Sequence, residues 1–310
     1  MTRLERIIAL FAAALLLAAP FLLYPEFVMK LLCFALVAAA FNLLIGYVGL
    51  LSFGHAAFFG GGAYVTANAV KVWGVSPELG ILLGGLAAAL LGWIFGILAI
   101  RRKGIYFAMI TLALSQMVFF IALQAPFTGG EDGIQSVPRG HLFGVIDLND
   151  SIAMYYFVLA IFAGSLFMLW RVVNSPFGRI LLAIRENEAR AISLGYDIDR
   201  YKIIAFVLSA TFAGIAGGTK SIVFQLASLT DISWPMSGEI ILMTLLGGIG
   251  TFLGPVVGGS LVVAIQDTLA SSGFPVPVLI GAVFMACVLL FRRGIVGEIE
   301  AWWQRRSAQS

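Results

Sequence analysis

The chain has 310 residues, 61% of them apolar by type and 11% charged, with a formal net charge of +3. A soluble domain carries about 45–50% apolar and 25% charged residues, so this excess has no polar surface to cover it, and the same apolar content excludes disorder. The small basic surplus excludes nucleic-acid binding, and two isolated cysteines, Cys33 and Cys287, make neither a disulfide framework nor a metal site.

A spanning helix needs about 20 mainly apolar residues. In chain order the expected spans are 7–23, 28–46, 50–70, 79–100, 104–124, 151–170 and 203–223. Pro20 spoils the cleavage site that would make 7–23 a signal peptide, so it is expected to stay as a first helix. The stretch 239–266 is apolar but broken by Gly247, Gly248, Gly250, Gly254 and Pro255, and is expected to form two short elements. A last span, 276–291, ends at Arg292 and Arg293.

The fold class is therefore an all-α polytopic membrane protein, one transmembrane domain over 1–310 with about ten elements. Placing both termini in the cytoplasm puts fifteen of the nineteen basic residues on that side. Lys30, Lys71, Arg139 and Lys220 are the four left outside. Reading 239–266 as one span would reverse the last helix against this signal. An external loop is expected at 125–150, a charged cytoplasmic loop at 172–202 and a cytoplasmic tail at 292–310. Glycine pairs four apart, such as Gly80/Gly84, Gly92/Gly96 and Gly214/Gly218, point to close helix packing in lipid.

Chemistry is sparse. His55 and His141 are the two histidines, no nucleophile elbow occurs, and no metal ligand set is spaced along the chain. The stretch 214–221 resembles a phosphate loop but has Thr219 where the second glycine is required. Lys30, Lys220, Glu239 and Asp267 are expected at helix ends, with side chains reaching to the interface. His55, with Ser52, Gly54 and the triplet 60–62, makes a polar, glycine-rich break; both a packing histidine and a path-lining one fit this pattern.

The 172–202 loop is the most informative segment. Ser175 and Pro176 begin a helix in which Ile180, Leu181 and Ile184 recur at helical spacing. A second short helix, 188–194, is expected with Asn187 as N-cap and Gly195 as its terminating glycine. Asp199 is expected to cap the next span.

Four segments then carry a resemblance: 41–64 (FNLLIGYVGLLSFGHAAFFGGGAY), 128–133 (TGGEDG), 175–179 (SPFGR) continuing to 186–189 (ENEA) and Gly195, and 245–258 (LLGGIGTFLGPVVG). In this order they resemble the LivM-type permeases of branched-chain amino-acid ABC importers. The resemblance implies a subunit of the bacterial inner membrane paired with a second, LivH-type permease. It further implies two cytoplasmic ATPase subunits that use ATP and Mg, and a periplasmic substrate-binding protein. This chain itself would hold no cofactor and no nucleic acid, and would sit among membrane lipid.

By the same resemblance Arg185, Glu186, Asn187, Glu188, Ala189, Arg190 and Gly195 form the coupling helix seated on an ATPase subunit. The general importer pattern Glu-Ala-Ala-x-x-x-Gly is altered here, with Arg190 after Glu188 and Ala189, and Gly195 one place late. Interrupted helices mark the route in other transporters, so Ser52, Gly54, His55, Gly247, Gly248, Gly250, Gly254 and Pro255 are the expected translocation path. Leucine, isoleucine and valine are the implied cargo; urea, amides or aromatic acids are alternatives, and an ion-coupled secondary transporter is the competing class.

Overall fold

The computed structural model describes residues 16–21 and 23–270, together with 278, 281, 282, 285 and 294–298. The start of the expected first span, most of the span 276–291, most of the tail 292–310 and Cys287 lie outside the described residues.

Among the described residues, ten helices with defined bounds follow in order. They are α1 (Pro25–Asn42), α2 (His55–Lys71), α3 (Pro77–Ala99), α4 (Ile105–Gln124), α5 (Ser151–Val173), α6 (Pro176–Glu186), α7 (Glu188–Ser193), α8 (Ile198–Val223), α9 (Trp234–Gly247) and α10 (Gly254–Ala270). Their starts have local causes. Proline stands in the first two positions of α1, α3, α6 and α9, where its missing N–H costs nothing. The Asp150 carboxylate caps α5 by accepting from the Ile152 and Ala153 amides.

Among the described residues five helical stretches are long and apolar enough to cross a membrane: Pro25–Val48, Pro77–Ala99, Ile105–Gln124, Ser151–Val173 and Ile198–Val223. α1 and α8 are central, whereas α4 is only 22% buried over its apolar window. The outward faces of α3, α4 and α5 present Leu82, Leu86, Leu90, Trp93, Met109, Met117, Phe120, Phe167 and Met168. A continuous apolar exterior of this kind belongs in lipid or against another apolar surface.

The centre is built on missing side chains. A methyl on Gly62 of α2 would fall into the backbone of Gly214 on α8, and one on Gly84 of α3 would fall on Thr66 and Gly62. Gly217 is closed in the same way by the Phe59 carbonyl. With no hydrophobic driving force between helices in lipid, such backbone approach supplies the dispersion contact that holds α2, α3 and α8 together.

The expected external loop contains two short ribbons. β1 (Ile134–Gln135) pairs antiparallel with β4 (Leu226–Ala227), and β2 (His141–Leu142) with β3 (Ile146–Asp147). The four basic residues assigned outside all make bonds around this end. Lys30 pairs with Asp267 at 3.2 Å, Lys71 donates to the Gln135 carbonyl at 2.7 Å, and Arg139 meets Glu26 at 3.5 Å and the Val223 carbonyl at 2.9 Å. Lys220 pairs with Asp231 at 2.5 Å.

Three expectations change. Lys220 does not reach to an interface: its side chain is 14% exposed and Asp231 is 2% exposed, so this is a buried ion pair. Asp197, not Asp199, caps α8, by accepting from the Arg200 amide, because the chain leaves α7 through Gly195 and needs only two residues to turn. The third span begins at His55 rather than residue 50. Gly49, with φ 82, ends the preceding helix in a left-handed turn that the following residues cannot continue.

Candidate functional site

The end of α1 that leads into the glycine-rich stretch expected at 52–62 meets the second expected break, 247–255, through Asn42, Gly46 and Gly250. α1 continues as a π-helical turn, Leu43–Val48, then unwinds through residues 49–54 before α2. π-turns inside helices recur at functional positions because they leave backbone groups out of register. In the unwound stretch and the first turn of α2, free amides find side-chain partners from α4, from α9 and from Ser52 within the stretch itself. Phe53 N–H donates to Thr111 Oγ1 at 3.1 Å, Gly54 N–H to Ser52 Oγ at 3.1 Å, and Ala56 N–H to Ser237 Oγ at 3.0 Å. Irregular backbone inside a membrane protein survives only with such satisfaction.

The second break lies between α9 and α10. Gly248 and Gly250 have φ of 123 and 79, conformations that side-chain-bearing residues rarely adopt. Asn42, at the end of α1, clamps this turn with both ends of its amide. Its Nδ2 donates to the Thr251 carbonyl at 2.8 Å, and its Oδ1 accepts from Gly250 N–H at 3.0 Å. A methyl on Gly46 would stand 2.8 Å from the Gly250 nitrogen, so only glycine permits the two breaks to touch. Gly247 and Gly254 close on one another across the same turn, and Pro255 starts α10.

Arg185 joins this junction to the charged 172–202 loop. Its Nη1 donates to the Gly46 carbonyl. Methyls on Gly49 and Gly250 would approach its side chain to 3.1 and 3.2 Å. One arginine side chain near the end of α6 thus reaches both the π-turn of α1 and the α9–α10 turn.

The loop itself is a small braced knob. Ser175 caps α6, Asn187 caps α7 by accepting from Arg190 N–H at 3.0 Å, and Gly195 ends α7 with φ 85. Ile184, Ala191 and Ile198 make a separate minicore, flanked by Ile180 and Tyr201. Glu188 ties the knob to the body, bonding Lys202 at 3.0 Å and Lys103 of the α3–α4 turn at 2.9 Å. Burial raises the Glu188 pKa, but the hydrogen bonds and charges of Lys103 and Lys202 outweigh it and hold the carboxyl below the ordinary glutamate value.

Of the residues expected to couple, Arg185 and Glu188 bond within this chain, Glu188 half-buried, whereas Glu186, Asn187, Ala189, Arg190 and Gly195 are exposed, as is part of Arg185. Ile192 and Leu194, 60% and 68% exposed, stand beside them and were not expected from the sequence. Two bare apolar side chains on a charged helix were the available signal.

His55 lies near the first break, fully buried. Ser209 Oγ donates its single proton to the Ala40 carbonyl at 2.6 Å and so accepts from His55 Nε2–H at 2.8 Å. That fixes the tautomer and leaves Nδ1 a bare acceptor, without a hydrogen-bond partner among the described residues. Phe41, Phe58 and Phe206 stand edge-on around the ring, with centroids 4.7, 5.5 and 6.1 Å away.

Comparison with known proteins adds the following. The family model described as branched-chain amino acid transport system / permease component matches residues 24–292. The high-affinity branched-chain amino acid transport system permease protein LivM of Salmonella typhimurium is 26% identical over 300 residues, covering 89% of this chain and 71% of that protein. Its Escherichia coli counterpart is 28% identical over 259 residues, covering 76% of this chain and 61% of that protein. The Escherichia coli LivH permease protein is 23% identical over 289 residues, covering 86% of this chain and 92% of that protein.

Proposed function

Because the chain belongs to the branched-chain amino acid transport system permease component family, we propose that it is the LivM-type transmembrane subunit of an ABC importer for leucine, isoleucine and valine. It sits in the bacterial inner membrane as a single domain of ten elements with both termini cytoplasmic. A LivH-type permease pairs with it, a periplasmic protein delivers the amino acid, and two cytoplasmic ATPase subunits bind ATP and Mg. The chain contributes the path and the handle.

The handle is the knob of α6 and α7. Its exposed face, from Glu186 to Gly195, seats in an ATPase cleft, with Ile192 and Leu194 as apolar anchors and Arg190 giving register. The Glu188 bonds to Lys103 and Lys202 make the knob stiff, so a displacement at its tip is carried to its base. At the base, Arg185 bears on the Gly46 carbonyl and on Gly250.

That contact is the observation that carries the reading, since it joins the expected coupling segment to the π-turn of α1 and to Gly250 of the expected path. A push on the knob shifts the π-turn of α1 against the α9–α10 turn, and the amide of Asn42 keeps the two moving together. Ser52, Gly54, His55, Gly247, Gly248, Gly250, Gly254 and Pro255 border the route so changed. Conformational energy then comes from the ATPases alone, as a two-state element biased from outside requires.

The test is a pull-down in mild detergent with labelled leucine uptake in the same cells, comparing wild type with Glu188→Lys and Gly195→Trp. Co-purification of a second permease and two ATPases, with ATPase loss in the variants, supports the importer. A chain that purifies alone and still transports is a secondary transporter, and the proposal fails.

A further inference from the structure

The Lys220–Asp231 pair and the TGGEDG loop above it have no part in the coupling path. Lys220 ends α8, Asp231 closes the turn Leu229–Asp231, and the ammonium lies 2.5 and 2.6 Å from the two carboxylate oxygens. Ser228 N–H also donates to Asp231 at 3.4 Å. Gly60 of α2 has no side chain where the Asp231–Ile232 backbone passes, which seats this turn against α2.

One helical turn along α2, Tyr64 is 5% exposed, and its hydroxyl has no hydrogen-bond partner among the described residues. A buried hydroxyl left unbonded is costly, and such groups point to a missing partner. Over it sits Gly133, where a methyl would stand 3.3 Å from the hydroxyl oxygen. Gly133 leads into β1, whose pairing with β4 lays the 128–135 segment across the site. Gly129, Gly130 and Gly133 have φ of 79, 61 and 67, so the loop takes a path that depends on glycine.

We propose that Lys220, Asp231 and Tyr64 form an outer binding site for the zwitterionic head of the transported amino acid, with the 128–135 segment as its cover. The inference rests on the amino-acid permease reading above. An α-carboxylate and α-ammonium present to the site what Lys220 and Asp231 present to each other. Binding exchanges one internal ion pair for two charge-assisted contacts and leaves the buried net charge unchanged. The Tyr64 hydroxyl donates to the incoming carboxylate and gains the partner it lacks. Urea or a neutral amide brings no charge to replace the broken pair, and the site rejects it. The apolar side chain of the cargo is not read here.

The test uses cells carrying the whole importer, with assembly followed by affinity purification and labelled leucine uptake measured over a concentration series. One variant is Lys220→Met with Asp231→Leu, which removes both charges and leaves neither unpaired. The other is Tyr64→Phe, which deletes one oxygen. Both are expected to assemble. The double variant is expected to lose uptake by about tenfold or more, and Tyr64→Phe to raise half-saturation about threefold to tenfold with the maximal rate kept. Wild-type uptake by the double variant overturns the site, as does unchanged half-saturation in Tyr64→Phe. A wild type that carries urea or an amide but no amino acid overturns the amino-acid reading itself, a distinguishable result.

Discussion

The Arg185 guanidinium donates to the Gly46 carbonyl across 139 residues of sequence, from α6 of the charged loop to a π-turn within a buried span. Hydrogen bonds to charged groups are worth about 1.5–3 kcal/mol, enough to transmit a shift without locking it. Arg185→Ala should assemble normally and keep ATPase activity while leucine moved per ATP falls about tenfold, as expected for about 1.4 kcal/mol lost from the link. Arg185→Lys should recover part of this. Transport and ATP hydrolysis measured together in proteoliposomes give the ratio, and an unchanged ratio in Arg185→Ala counts against the link.

The second break should be intolerant of side chains. Gly248→Val and Gly250→Val place a β-branched residue at positive φ, where left-handed backbone costs about 1–2 kcal/mol or more. Uptake should be lost while the complex still co-purifies. Normal uptake by either variant would remove 247–255 from the path.

Glu188 supplies a pH test. Its carboxyl is held below the ordinary glutamate value in the folded chain, so its bonds stabilise the knob fully above the unfolded pKa and are lost as pH falls through the lowered folded one. Hydrogen exchange of residues 188–198 should be flat from neutral pH down to the ordinary carboxylate range, then rise under more acid conditions. Glu188→Gln should raise exchange at neutral pH. It should do so more than Lys103→Ala, because Lys202 is only 6% exposed and would be left with a buried, unpaired charge, whereas Lys103 is 70% exposed. Equal effects would mean that the brace is a surface pair.

Ser209→Ala should remove the partner of His55 Nε2 and leave both ring nitrogens unbonded among three phenylalanines. The cost of an orphaned buried donor is about 1–3 kcal/mol. Thermal unfolding in detergent should fall accordingly, and no change would place water on the ring.

Much of this architecture is legible in the sequence. Apolar length alone places α3, α4, α5 and α8 within a few residues, and the glycines at 247–250 with Pro255 separate α9 from α10. Ser175, Pro176, Asn187 and Gly195 act on neighbouring backbone, so local reading finds the knob and its caps. What escapes is any relation that needs two distant segments. Lys220 alone is a helix-end lysine; it becomes a buried ion only when the chain returns with Asp231. The π-turn is likewise invisible, because Leu43–Val48 has the composition of any apolar helix, and the bond from the preceding Asn42 goes to Gly250 of a distant segment. Asp197 and Asp199 are equally good caps on paper, and the length of the α7–α8 turn chooses between them.

The glycine seam has one more consequence. Where α2, α3 and α8 meet through Gly62, Gly84 and Gly214, main chain approaches main chain, with only Thr66 and Ala88 placing side chains at the seam. A slide or a roll of packed helices proceeds by side chains changing rotamer; Ala88 has none to change, and Thr66 is held by its bond to the Gly80 carbonyl. Under the proposed coupling, these three helices are the fixed part, and the stroke falls to the Leu43–Val48 end of α1, the knob and the α9–α10 pair.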